Sequence, residues 1–178
     1  VATGGRLTTA WPEDSLQAAD ALAGARAAFG ADLGYEGGGP NRRLTVTGPA
    51  RPCGVDLDLH EISELTPTVA ALAALADGPS VIRGVDHIRG HETDRLAALE
   101  TELSALGARV RQTPDGLAIE PAPLHGARLS SHHDHRLAHA AALVGLVVPG
   151  VELDYVDCTT KTLPDFPGLW SALVGAAA

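Results

Sequence analysis

Apolar positions recur along this chain at two spacings, and those spacings divide it into helices and short strands. Between residues 92 and 106, leucines stand at 96, 99, 103 and 106. Steps of three and four residues place them on one stripe of a helix. Gly107 follows directly and reads as the helix stop. Residues 66–76 are almost wholly Ala, Leu, Val and Thr, and a helix apolar on every face is expected to be buried. An Ala-rich helix is predicted over 15–29, capped by Asp14 or Ser15. Residues 5–10, 44–48, 55–59 and 80–85 have strand composition; LTVTG and VDLDL show the two-residue alternation of a half-buried strand.

The pattern also repeats. Phe29-Gly30-Ala31 and Leu106-Gly107-Ala108 each close a helix, and each precedes a strand, a glycine-containing turn and a second strand. Repeated units of this kind predict one α/β domain with mixed sheets. A doubly wound nucleotide fold is disfavoured, because no G-x-G-x-x-G follows a strand.

Composition narrows the function classes. A chain of 178 residues with 45% apolar content has the length of one domain and the makeup of a soluble, globular one. No apolar run approaches the roughly 18 residues of a membrane span, and the N-terminus lacks a signal-peptide pattern. Cys53 and Cys158 stand in no C-x-x-C spacing, so a reducing, cytoplasmic setting is expected without disulfides or a zinc ribbon. The net charge of −9 argues against a nucleic-acid surface. It leaves open a small anion held by a local cluster of positive groups. Methionine is absent even at position 1, so the chain is expected to be a piece of something longer.

Among 13 basic residues there is a single lysine, Lys161. A bias of codons toward arginine explains the others and draws attention to this one. A lysine survives such a bias where a titratable ammonium is needed and a guanidinium will not serve. Solvated surface is the alternative for any lone lysine.

Arg95 and Arg136 are awkwardly placed. Both lie in the first turn of a predicted helix, where a cation opposes the positive end of the dipole. Arg95 also sits four residues before Leu99, on the apolar stripe. A bound anion shared with the helix amides would relieve both conflicts; so would a salt bridge to a nearby acid, but two helices that each begin with a misplaced arginine favour a shared anionic ligand. For Glu92 and Asp94, in the first turn of the same predicted helix, and for Glu64, just ahead of the 66–76 helix, the ordinary reading is dipole complementarity. Asp134 reads as a helix cap. His135 and His139 have the i, i+4 spacing of zinc enzymes, but no H-E-x-x-H pattern accompanies them, and no metal is expected. Taken together, one or two carboxylates, two arginines, histidines and a lysine suit a substrate carrying both phosphate and carboxylate, with proton transfer nearby.

Four stretches carry a family resemblance: ELTPTVAALAAL, IRGHETDRLAALETELSALGARV, DHRLAHAAALVGL and CTTKTLPDFPGLW. In order and spacing they resemble the C-terminal part of 5-enolpyruvylshikimate-3-phosphate synthases, above all those of high-GC Gram-positive bacteria. The resemblance covers nearly all of residues 1–178. It implies one lobe of the enolpyruvyl transferase fold, built from repeated βαβαββ-type units with mixed sheets and buried helices. It implies two small-molecule substrates, phosphoenolpyruvate and shikimate 3-phosphate, and no cofactor. Carried over by motif, Glu64 matches the carboxylate that accepts the hydroxyl proton and contacts the shikimate moiety, where many relatives have aspartate. Arg95 and Arg136 match the arginines that grip phosphoenolpyruvate. Lys161 matches a lysine that contacts it and is implicated in moving a proton, and Glu92 a second carboxylate implicated in proton transfer. His87 and His91 match substrate-binding positions where relatives carry asparagine and lysine. The resemblance further implies that a second lobe, its phosphate-binding segments and the extreme N-terminus are supplied in cis or in trans. The isolated chain is therefore expected to turn over slowly or not at all, or to work only as a complementing half beside a partner chain.

Overall fold

The computed structural model describes residues 1–14 and 19–175. Its elements fall into three successive groups. The first holds β1 (Arg6–Ala10), α1 (Ala19–Ala28), β2 (Asp32–Glu36) and β3 (Arg43–Thr47), with β3 central in an antiparallel sheet ordered β1-β3-β2. The second is a complete βαβαββ unit: β4 (Asp56–Asp58), α2 (Thr66–Ala74), β5 (Ser80–Arg83), α3 (Arg95–Ala105), β6 (Arg109–Thr113) and β7 (Gly116–Glu120). Its sheet runs β4-β5-β7-β6, parallel between β4 and β5 and antiparallel elsewhere. The third group is β8 (Arg128–Leu129), α4 (His135–Gly145), β9 (Glu152–Leu153) and α5 (Phe166–Gly175), with β8 and β9 parallel. The expected mixed sheets and buried helices are present.

Sequence explains why the middle unit is the core. Nearly every residue of α2 is buried, as an all-apolar helix requires. Its alanines at 70, 71, 73 and 74 present no bulk, so α4, whose Ala140 and Ala141 share the same core, packs against it. The stripe on α3 is buried through Leu96, Leu99, Leu103 and Leu106. Opposite it stand Ile82 of β5 and Leu117 and Ile119 of the interior strand β7. The repeat read from sequence is real: Gly30 and Gly107 end α1 and α3 with φ of +89° and +96°, which glycine adopts without a Cβ clash.

Two expected helix boundaries move. The third helix begins at Arg95, not at residue 92, because Asp94 is the residue whose carboxylate caps it, accepting from the Ala97 N–H at 3.0 Å. The second ends at Ala74, two residues early. The first helix is described over Ala19–Ala28, and its expected start at residue 15, with Ser15 as one of the two proposed caps, falls outside the described residues. α5 is apolar on all sides yet buries only Phe166 and exposes Leu169, Leu173 and Val174. The hairpin that ends the middle unit has no counterpart in the third among the described residues. Among the described residues no helix is long and apolar enough to cross a membrane.

Candidate active site

The starts of α2, α3 and α4 meet at one guanidinium. Arg95 opens α3, and its side chain is only 2% exposed. Its Nε donates to Asp134 Oδ2 at 2.6 Å and its Nη2 to Oδ1 at 3.4 Å. Its Nη1 donates to Glu64 Oε2 at 3.0 Å, two residues before α2 begins. Asp134 is fully buried and caps α4, accepting from the Arg136 N–H at 2.8 Å. Of the two remedies for a cation at a helix start, this structure displays the ion pair. A buried arginine and aspartate are tolerable only when charge and hydrogen bonds are both matched, as they are here.

Glu64 is shared further. Arg136 places Nε 2.5 Å from Glu64 Oε2 and donates from Nη1 to the Glu64 carbonyl at 3.1 Å. His91 Nδ1 lies 3.1 Å from Glu64 Oε1 and 3.0 Å from Arg95 Nη1. His87 reaches Ser63 Oγ at 2.9 Å, and its ring sits between those of His60 and His91. A second carboxylate cluster adjoins the first: Glu92 pairs with Lys161 and stands 3.2 Å from His135 Nδ1. All seven site residues expected from sequence therefore belong to one connected patch. Glu92 has a different place from the one expected, since it precedes α3 and serves no dipole there. Lys161 ends a 3-10 segment, Val156–Lys161, rather than lying in a loop or strand end.

These contacts set the charge states. Burial works against ionising Glu64 and Asp134, but Arg95 outweighs it in both, helped by Arg136 and His91 at Glu64 and by the Arg136 amide at Asp134. Both carboxyls titrate below their ordinary values. Glu92 is also lowered, chiefly by its hydrogen bond to Lys161. Arg95 is raised, because the two acids overcome its burial. A carboxyl whose folded pKa is depressed contributes stability above its unfolded pKa and loses it as pH falls through the folded value. Unfolding midpoints in urea should thus hold level above about pH 5 and drop steeply below about pH 4. Asp134→Asn should flatten that acid limb while lowering the midpoint at neutral pH; an unchanged limb would remove Asp134 from this account.

Sequence reasoning missed three arrangements. Asp134 was legible as a cap but not as the counter-ion of Arg95. The i, i+4 histidines take separate partners: His135 turns to Glu92, while the His139 ring meets Phe166 edge to face at 4.7 Å between ring centres. The His139 Nε2 is buried without a partner, and burial lowers its pKa. The turn ahead of Asp134 is strained, with His132 and His133 both left-handed at φ of 51° and 58°. Glu102 of α3 pins it, accepting from the Ser130 amide at 2.9 Å and lying 2.8 Å from His132 Nε2. Left-handed histidines at these positions leave no signal in composition or spacing. Glu92, Asp134 and His135 bring ligand-type atoms within 4.8 Å of one another. Lys161 and Arg95 already neutralise the two carboxylates, so the group reads as an ion-pair network.

The patch is open on one side: the Glu64 side chain is 47% exposed and that of Lys161 67%. Chemically it sets the half-buried Arg136 guanidinium and, behind the Glu64 carboxylate, that of Arg95 beside carboxylates, imidazoles and an ammonium.

Comparison with known proteins gives the chain's relatives. The family described as EPSP synthase (3-phosphoshikimate 1-carboxyvinyltransferase) matches residues 3–170. A 3-phosphoshikimate 1-carboxyvinyltransferase of Kocuria rhizophila is 53% identical over 177 residues, 99% of this chain but 39% of that protein. An EPSP synthase structure from Acinetobacter baumannii superposes with a TM-score of 0.81 at 21% identity, covering 96% of this chain and 42% of that one. The enolpyruvyl transferase NikO of Streptomyces tendae gives 0.68 at 22% identity, over 95% of this chain and 38% of its own. This chain thus spans about two fifths of the length of each of these relatives.

Proposed function

This chain belongs to the EPSP synthase (3-phosphoshikimate 1-carboxyvinyltransferase) family, and we propose that it supplies one wall of an enolpyruvyl-transfer site. In this reading residues 1–178 are most of one lobe, and a second lobe faces the patch around Arg95. Phosphoenolpyruvate is protonated at its methylene carbon while the 5-hydroxyl of shikimate 3-phosphate attacks its second carbon. The tetrahedral intermediate then expels phosphate.

The observation that carries the reading is the convergence of three helix starts on Arg95, with Arg136 beside it. Helix starts and guanidinium groups both favour an anion carrying phosphate and carboxylate. Arg95 and Arg136 grip phosphoenolpyruvate, and Glu64 receives the hydroxyl proton. Lys161, titratable where arginine is not, exchanges a proton with the ligand, and Glu92, its partner, completes that path. His87 and His91 hydrogen-bond substrate oxygens. The open face of the patch favours dependence on a second surface, since exposed charges are weakened by water and salt.

The test is phosphate release from both substrates together. The complete polypeptide containing this chain should release phosphate. The isolated chain should be slow or inactive, and adding the remainder of the polypeptide as a separate chain should restore the rate. A silent complete polypeptide would overturn the transfer reading, and a family-like rate from the isolated chain would overturn the need for a second surface.

A further inference from the structure

We propose that His91 is the relay on which the hydroxyl proton comes to rest after Glu64 has taken it, a role that rests on the enolpyruvyl-transfer reading above. One ring atom carries the argument. His91 Nδ1 lies 3.1 Å from Glu64 Oε1 and 3.0 Å from Arg95 Nη1. Arginine only donates, so toward Arg95 this nitrogen presents a lone pair. An ionised carboxylate only accepts, so toward Glu64 the same nitrogen must present an N–H. A single nitrogen cannot do both. With Glu64 ionised, one of the two contacts goes unmade in either state of the ring.

Protonating Glu64 turns both neighbours into donors toward the Nδ1 lone pair, and passing the proton on makes the Glu64 contact at the expense of the one to Arg95. The new O–H can donate to the Nδ1 lone pair, and the proton can then cross. The Glu64 O–H bond breaks, the Nδ1–H bond forms, and a carboxylate–imidazolium pair remains. The direction follows from chemistry. An ordinary imidazole titrates about two units above an ordinary carboxyl, and Glu64 sits lower still because Arg95, Arg136 and His91 surround it. A carboxylate so stabilised holds a proton poorly, so an acceptor at 3.1 Å is what lets it serve as a base. The charges facing the ring come from each packed element. Glu64 lies on the 3-10 segment His60–Leu65, Arg95 on α3, and Arg136 of α4 bears on the same carboxylate. Asp134 stands behind Arg95, and on the ring's own segment are Glu92, next in sequence, and His87, 6.0 Å away between ring centres, which Asp86 approaches to 3.9 Å. The two arginines disfavour an imidazolium, and Glu64 favours it. The His91 side chain is 29% exposed, which gives the proton a way out to water.

The test is steady-state phosphate release by the complete polypeptide from about pH 5 to about pH 9, for the wild type, His91→Gln and Glu64→Gln. Glutamine can still donate a hydrogen bond to Glu64 but cannot take up its proton. His91→Gln should lower kcat by about 100-fold, leave KM for phosphoenolpyruvate within a few-fold, and erase the acid limb that belongs to an imidazole. Unaltered kcat, or an imidazole limb that persists, overturns the relay. A wild-type rate in Glu64→Gln overturns the assignment of Glu64 as base and the relay with it. Loss in Glu64→Gln with a normal His91→Gln overturns the relay alone. If His91→Gln fails to fold, nitrogen NMR of the wild-type ring decides. Nδ1 should gain its proton in step with the kcat limb, and a ring titrating outside that limb overturns the proposal.

Discussion

Replacing Arg95 with alanine should lower the unfolding free energy by about 3–5 kcal/mol, the usual cost of stranding one member of a buried ion pair. Asp134 is wholly buried and receives two of its hydrogen bonds from Arg95. Without the guanidinium its carboxylate must either stay charged in an apolar surround or take up a proton. Urea denaturation at neutral pH measures the loss directly. Removing both charges tells pairing from packing. Arg95→Met with Asp134→Asn keeps most of the volume, and asparagine still caps α4. That double variant should recover part of the stability, because it leaves no unpaired charge buried at position 134. A loss below about 1 kcal/mol in Arg95→Ala would show that the pair is no more than a surface bridge.

The same residue shows what could be read from sequence and what could not. That Arg95 needed a negative partner followed from dipole and stripe alone, since a cation at a helix start on the apolar face is unfavourable twice over. Which partner it has did not follow. Asp134 lies 39 residues away, and no local pattern says that a cap will also serve another helix's arginine. The resemblance gathered Glu64, Arg95, Arg136 and Lys161 at one place, and they do lie in one patch. Periodicity alone could not have done so, because Glu64 and Arg136 are 72 positions apart. The start of α3 was misjudged for a simple reason. Glu92 and Asp94 are equivalent as acidic start signals, and only the carboxylate that reaches the Ala97 amide can be the cap. The zinc-like spacing of His135 and His139 carried no information about their partners. Spacing puts both rings on one face of α4, but Glu92 and Phe166 then draw them to separate partners.

Arg136→Ala and Glu64→Gln should move anion affinity in opposite directions if the proposed reading holds. Arg136 is one-third exposed, so its loss strands no buried charge and should change stability by less than about 1 kcal/mol. It should weaken phosphoenolpyruvate binding by about 10- to 100-fold, the worth of one charge-assisted contact. Glu64 differs, because in this structure its carboxylate sits where the ligand's charge would go, against Arg95, Arg136 and His91 together. A ligand can reach those guanidinium groups only by taking the place of Oε2, which meets both arginines, while Oε1 keeps its contact with His91. Glutamine in place of Glu64 leaves them less occupied and adds one unit of positive charge to the patch, so Kd for phosphoenolpyruvate should fall several-fold even as turnover collapses. Calorimetric titration of the complete polypeptide at fixed salt measures both variants on one scale. Were Glu64→Gln to weaken binding as Arg136→Ala does, Glu64 would be holding the ligand rather than competing with it, and the ion pairs around it would have to persist in the bound state.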